Sequence, residues 1–137
     1  MRLALAVLLA VSACTSPPRV TATPSPTPEP AVLSITALLD LSGHRSAIGT
    51  AQRNALQLWV DQHQARGGSP VTVRLRIADV ASSEARLILE LRRAAVEDQA
   101  DAVIVGAPVQ DEEIFGRAVE AAGIAVLLTL PTSGDPV

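Results

Sequence analysis

The sequence contains no lysine and no tyrosine, and it has one tryptophan, one phenylalanine and one cysteine. Each shortage excludes something. With aromatics at 1% and hydrophobic residues at 48%, any core is aliphatic, built from Ala, Val, Leu and Ile. A single cysteine rules out an intrachain disulfide. The basic residues are all arginine and form no cluster, and the net charge is −3. Nucleic acid is therefore not an expected partner. The two histidines, His44 and His63, have no carboxylate or cysteine at ligand spacing, so neither a metal nor another cofactor is expected. The GxSxG pattern is absent and no Ser-His-Asp or Cys-His set can be paired, which disfavours a hydrolase and any other enzyme. At 137 residues the chain holds one ordinary domain.

What is present begins with "MRLALAVLLAVSAC". One positive charge (Arg2) precedes a short apolar run from Leu3 to Val11, then small residues, then Cys14. This is the layout of a signal peptide, and the run is too short for a bilayer, which takes roughly 20 residues. The tetrad Val11-Ser12-Ala13-Cys14 resembles a bacterial lipobox. That resemblance implies cleavage before Cys14, lipid attachment there, and a membrane partner reached through the lipid. Residues 1–13 are then a leader. Residues 14–30 carry the lipid and "TSPPRVTATPSPTPEP", which holds most of the ten prolines. Such a stretch is extended and builds no core, so it reads as a tether or as a glycosylated stalk. Either reading places the domain, residues 31–137, outside the cytoplasm.

From Ala31 the pattern alternates. Val32 to Leu39 is apolar and suits a strand. Ser46 to Gln64 carries Ala47, Ala51, Ala55, Leu58 and Trp59 at helical spacing, which predicts a helix with those residues inward. Gly67, Gly68 and Pro70 stop it. Val71 to Ala78 alternates apolar and polar residues, as in a half-buried strand near an edge. Ser82 or Ser83 caps a second helix running to about Asp98, with Leu87, Ile88, Leu91 and Ala95 inward. Ala100 to Gly106 is an apolar strand. "DEEIFGRAVEAAG" predicts a third helix with acids in its first turn, with Ile114, Phe115, Ala118, Val119 and Ala122 inward and Gly123 closing it. "IAVLLTL" is the fourth strand. The order β-α-β-α-β-α-β implies an open parallel α/β sheet with right-handed crossovers. The apolar third and fourth strands suit a sheet covered on both faces.

The stretch "DLSGHRSAIGTAQ", Asp40 to Gln52, is a glycine-bearing turn between a strand and a helix. It is not a phosphate loop. Gly43 and Gly49 have the wrong spacing, and no lysine exists to reach a phosphate. It is not a dinucleotide fingerprint either, because "GHRSAIG" lacks the middle glycine. Its position still matters, since open α/β sheets bind ligands outside the carboxyl ends of their strands. Four loops reach that edge: Asp40 to Ala47, Asp79 to Ser83, Gly106 to Asp111, and Thr129 to Ser133. They carry Ser42, Ser46, Ser82, Ser83, Thr129, Thr132 and Ser133, short hydroxyls that, with helix N-terminal N–H groups, suit an anionic or zwitterionic head group. Ser82 and Ser83 also read as caps, and Ser42 as a turn residue. Asp40 has no paired acid or base and is expected to close its own turn by accepting backbone N–H groups.

Several stretches, in order, resemble one family. "ITALLDLSGHRSAIGTAQRNALQLWVDQHQARGG", "ADVASSEARLILELRRAAVEDQADAVIVGAP" and "VEAAGIAVLLTLPTS" are similar to the opening of the type 1 periplasmic solute-binding proteins. This is the branched-chain amino-acid-binding family that serves ABC importers. The similarity covers Val32 to Ser133. It implies a Rossmann-like N-terminal lobe, a ligand cleft closed by a second lobe, and a small-molecule solute and an ABC permease as partners. On that pattern Thr132 holds the ammonium or carboxylate of the solute, Leu130 supplies a backbone contact, and Ile48 stands beside Gly49 where some members have an aromatic residue. The family's carboxylate-binding serine has no counterpart here; Gln110 and Asp111 are nearest. An acidic residue there favours a cationic or hydroxyl-rich ligand over a carboxylate. The 137 residues hold one lobe, so the reading is of a fragment or a truncated product. A sensing lipoprotein of the same fold and an inactive remnant are the alternatives.

Overall fold

The computed structural model describes residues 31–130. In chain order the elements are β1 (Ala31–Leu39), α1 (Ser46–Ala65), β2 (Val71–Asp79), α2 (Glu84–Val96), β3 (Ala102–Val105), α3 (Glu112–Ala122) and β4 (Ala125–Leu128). The four strands form one parallel sheet in the order β2-β1-β3-β4. β2 is an edge strand, as its alternating pattern suggested, and β4 is the other edge. Leu39 aligns with Asp79, and Leu38 aligns with Val105.

The strand order decides where the helices go. From β1 to β2 the chain steps one way across the sheet; from β2 to β3 and from β3 to β4 it steps the other way. Right-handed crossovers then put α1 on one face and α2 with α3 on the opposite face. The buried clusters follow that division. Leu38, Val80, Leu87, Leu91, Val103, Val105 and Phe115 pack under α2 and α3. Ile35, Val60 and Val73 pack under α1, with Leu33, Leu75 and Ile104 half-buried beside them.

The helix ends match their local chemistry. The Ser83 side chain accepts from the Arg86 N–H and caps α2, and the Asp111 carboxylate accepts from the Ile114 N–H and caps α3. Gly123 closes α3 in the left-handed region, at φ 62°.

The three inward faces depart from expectation to different degrees. On α2 Leu87, Leu91 and Ala94 are buried, with Ile88 packed beside them; on α3 Phe115 and Ala118 are buried, with Val119 and Ala122 packed beside them, while Ile114 faces out. α1 is turned further. Ala47, Ala51, Ala55, Leu58 and Trp59 are exposed, and Gly49, Gln52, Leu56, Val60 and His63 face the sheet. Gly49 sets this rotation. A Cβ there would stand 2.1 Å from the Asp40 carbonyl oxygen, so only glycine lets α1 lie against the end of β1. Trp59 stacks on His63 at 5.7 Å between ring centres rather than entering a core. The fourth strand is also left open on the α1 side. Val103 and Val105 are fully buried on the α2–α3 side, yet Leu127 on the α1 side is 61% exposed.

Candidate functional site

β1 and β3 are neighbours in the sheet, but the chain leaves them toward opposite faces. α1 follows β1 on one face, and the loop Gly106–Asp111 leads to α3 on the other. A crevice therefore opens between the carboxyl ends of β1 and β3, at the point where the strand order reverses. The loops around it are held by carboxylates.

Asp79, at the end of β2, binds the loop that follows β1. Its Oδ1 accepts from the N–H groups of Leu41 at 2.9 Å and Ser42 at 3.1 Å, and its Oδ2 accepts from Ser42 Oγ at 2.6 Å. Oδ1 also accepts from the Ala81 N–H at 2.9 Å. Burial pushes the Asp79 carboxyl up, but the hydrogen bonds from the Ser42 hydroxyl and from the N–H groups of Ala81, Ser42 and Leu41 together outweigh it. Asp79 is held below the ordinary carboxylate range. Asp40 does the reverse service. Its Oδ1 accepts from the Ser82 N–H, in the loop after β2, at 2.6 Å. The expectation that Asp40 closes its own turn is thus replaced: each aspartate secures the other strand's loop. That loop needs securing, because Ala81 and Ser82 both adopt the left-handed region, at φ 52° and 53°.

A third carboxylate extends the frame. Glu84, in the first turn of α2, accepts through Oε1 from the N–H groups of Gln110 at 3.0 Å and Asp111 at 2.7 Å. The loop after β3 is thereby fixed against α2. Between these loops lies a cavity of about 370 Å³, lined in part by His44, Arg45, Ser82, Glu84, Pro108 and Gln110. Arg45 Nε stands 4.0 Å from Asp40 Oδ2. Arg45 Nε, Asp40 Oδ2 and Ser82 Oγ are buried without a hydrogen-bond partner in the protein.

On the other side of the crevice, Gln52 reaches from α1 across the backbone of Gly106. Its Nε2 donates to Thr129 Oγ1 at 3.2 Å, and the threonine hydroxyl donates to the Val105 carbonyl at 3.2 Å. A Cβ on Gly106 would meet Gln52 Oε1 at 2.5 Å and Leu39 Cδ2 at 2.6 Å. This glycine is the space through which α1 is tied to β3 and β4.

The residues singled out from sequence fall into four groups. Ser46 opens α1, Ile48 is exposed one helical step further on, and Gln110 lines the cavity. Ser42 and Asp111 stand at the same edge, engaged with Asp79 and with the first turn of α3 respectively. Leu130 is half-buried at the end of the described chain. Thr132 and Cys14 lie outside the described residues, as do the leader and the tether. Asp79, Glu84, Gln52 and Arg45 were not picked out. The first two carry a signal that was available: an acid at a strand end, and an acid in the first turn of a helix beside a loop with free N–H groups. Among the described residues no group of three His, Cys, Asp or Glu is placed to hold a metal ion. No helix among them is long and apolar enough to cross a membrane.

No protein-family model matches the sequence, and the search of curated proteins finds no significant match. Solved structures do resemble it. For the branched-chain amino acid transporter substrate binding protein LivJ from Streptococcus pneumoniae, in complex with isoleucine, the TM-score is 0.64 at 22% identity, over 71% of this chain and 28% of that one. For a possible leucine/isoleucine/valine-binding protein from Rhodopirellula baltica the TM-score is 0.60 at 20% identity, over 73% and 28%. A solute binding protein of an ABC transporter from Rhodopseudomonas palustris, in complex with 3,4-dihydroxybenzoic acid, gives 0.57 at 13% identity, over 71% and 26%. The described residues have the fold of one lobe of a type 1 periplasmic binding protein. The chain spans little more than a quarter of the length of these structures, 26–28%.

Proposed function

We propose that this chain is the first lobe of an extracytoplasmic solute-binding lipoprotein that serves an ABC importer. In this reading residues 1–13 are the leader, Cys14 carries the lipid, residues 15–30 are the tether, and residues 31–137 form the lobe. The observation that carries it is the crevice between β1 and β3, with a cavity at its rim that joins polar side chains to an apolar wall of Leu87, Ala107, Pro108 and Val109. The frame of Asp40, Asp79 and Glu84 holds that rim rigid. Arg45, a third exposed beside Asp40, and Ser82 line that cavity and can meet a polar solute. Isoleucine and 3,4-dihydroxybenzoic acid, held by two of the similar proteins, both carry a carboxylate. A carboxylate-bearing, amino-acid-like solute paired with Arg45 is the substrate class we favour. The exposed Ile48 would border its side chain and Leu130 would supply a backbone contact, while Thr132, outside the described residues, enters only through the resemblance.

No bond is made or broken. The lobe offers a preformed half-site, and a second lobe closes on the solute, because one wall alone cannot bury most of a small ligand. The test is calorimetric titration of the protein purified from its own membranes against the common amino acids and a set of aromatic carboxylates. Saturable one-to-one binding of one class is expected. Heat of dilution alone across the whole set overturns the reading. Loss of fatty-acid labelling on Cys14→Ala tests the anchor separately.

A further inference from the structure

Among the described residues Asp40 is the only charged residue that is buried, with its side chain 2% exposed. A carboxylate taken out of water is costly unless it is hydrogen-bonded and paired. Oδ1 is satisfied by the Ser82 N–H at 2.6 Å. Oδ2 makes no hydrogen bond, and the cation beside it is Arg45, whose Nε stands 4.0 Å away and is itself buried. Arg45 sits immediately before α1, at its N-cap position, and its side chain makes no capping bond there. That side chain is 34% exposed and lines the cavity at the crevice. Glu84, the other acid at the cavity, is engaged through Oε1 by the N–H groups of Gln110 and Asp111. The guanidinium is therefore held along one edge by Asp40. Its Nη1 and Nη2 carry the other four N–H donors of the planar fork.

We propose that Asp40 is a positioning residue for the solute: it fixes Arg45 by the Nε edge, so that the Nη1–Nη2 fork meets the solute carboxylate end-on. The inference rests on the reading of Arg45 given above. An arginine free to move loses rotamer freedom when it binds a ligand; one already held by a buried carboxylate loses it on folding, and the half-site is ordered before the solute arrives. Lysine cannot replace Arg45 here. Its single ammonium pairs with Asp40 and leaves no second donor fork for the solute.

Side-chain NMR on the protein purified from its own membranes, after growth on isotope-labelled arginine, reads the pair without any solute. Arg45→Lys and Arg92→Lys identify their Nε–H signals by loss. The Arg45 signal is expected to exchange with water at least about tenfold more slowly than that of the exposed Arg92. Asp40→Asn, whose amide oxygen can still accept from Ser82, is expected to remove that protection. An Arg45 signal exchanging as fast as that of Arg92 in the parent overturns the proposal. Calorimetry then uses isoleucine and 3,4-dihydroxybenzoate, the carboxylates held by two of the similar proteins. Asp40→Asn is expected to weaken binding of the probe that binds by about tenfold, and to have no further effect when combined with Arg45→Gln. Arg45→Lys is expected to bind as weakly as Arg45→Gln, with melts confirming that each variant is folded. A merely structural Asp40 gives the same loss with arginine or glutamine at position 45, and that result overturns the proposal. Full affinity in Arg45→Lys overturns it as well. Failure of the underlying reading looks different: a slow Arg45 signal in a protein that binds neither probe, or that binds one equally well as Arg45→Gln, keeps the ion pair and overturns its role at the solute site.

Discussion

Asp40 and Asp79 exchange loops. Asp40, at the end of β1, holds the Ser82 N–H in the loop after β2, and Asp79, at the end of β2, holds Leu41 and Ser42 in the loop after β1. The parallel register of β1 on β2 makes this possible by setting the two strand ends side by side. Neither loop is fixed by its own residues alone, so the rim of the crevice depends on both carboxylates.

Removing Asp79 frees the first loop and the Ala81 N–H together. Asp79→Ala is expected to lower stability by about 1.5–3 kcal/mol, the range for hydrogen bonds to a charged group. The pH dependence has a definite sign. A carboxyl held below its unfolded value stabilises the fold above that value, about 3.9, and loses the contribution as pH falls through the folded value. Urea midpoints at pH 7 and across the acid range below about 4 check this; the Asp79→Ala protein should show a shallower acid loss than the parent.

Ala81 sits in the left-handed region at φ 52° without the freedom of glycine. That conformation costs an L-residue roughly 1–2 kcal/mol, against about 0.5–1 kcal/mol of extra chain entropy when glycine is introduced. Ala81→Gly is therefore expected to stabilise the protein slightly, by about 0.5–1 kcal/mol. A thermal melt showing a lower midpoint would mean that the two carboxylates leave no strain to relieve.

Gly49→Ala runs the other way. The new methyl would meet the backbone of Asp40, which cannot swing aside as a side chain can. A loss of at least about 3 kcal/mol is expected, at the upper end of overpacking effects. Wild-type stability would show that α1 is not pinned at this point.

Gly106→Ala is different because the obstacles are the ends of two side chains, Gln52 Oε1 and Leu39 Cδ2. The double variant Gly106→Ala with Gln52→Ala should lose less than the sum of the two single losses, by about 1 kcal/mol, as residues in contact do. Strict additivity in urea unfolding would separate the two sites.

The sequence foretold the strands and helices well because their periods are local. Val71 to Ala78 alternates, β3 is uniformly apolar, and the caps at Ser83 and Asp111 are short-range chemistry. What it hid was rotation and partnership. The stripe on α1 is apolar by any count, but the face toward the sheet is chosen by Gly49 packing on Asp40, a contact between elements. The same holds for the site. Ser42 and Asp111 were legible as edge residues, whereas their engagement by Asp79 and by the α3 helix turn depends on register and cap geometry. Arg45 and Gln52 became visible only once the crevice had two sides.

Arg45 carries the proposed recognition of a carboxylate. Arg45→Gln is expected to weaken solute binding by about 10- to 100-fold, the equivalent of one charged hydrogen bond, while Arg53→Gln leaves it unchanged. Titration of both variants, with melts to confirm folding, checks this; equal affinities would move the solute away from Arg45.

Hydrogen exchange on the protein from its own membranes, with and without the solute found by titration, tests the central claim most directly. The account predicts added protection at Gly43–Ile48, Gly106–Gln110 and Thr129–Leu130, the loops around the crevice. It predicts no change on the outer face of α2. Protection confined to α2 and α3, with those loops unchanged, would contradict it.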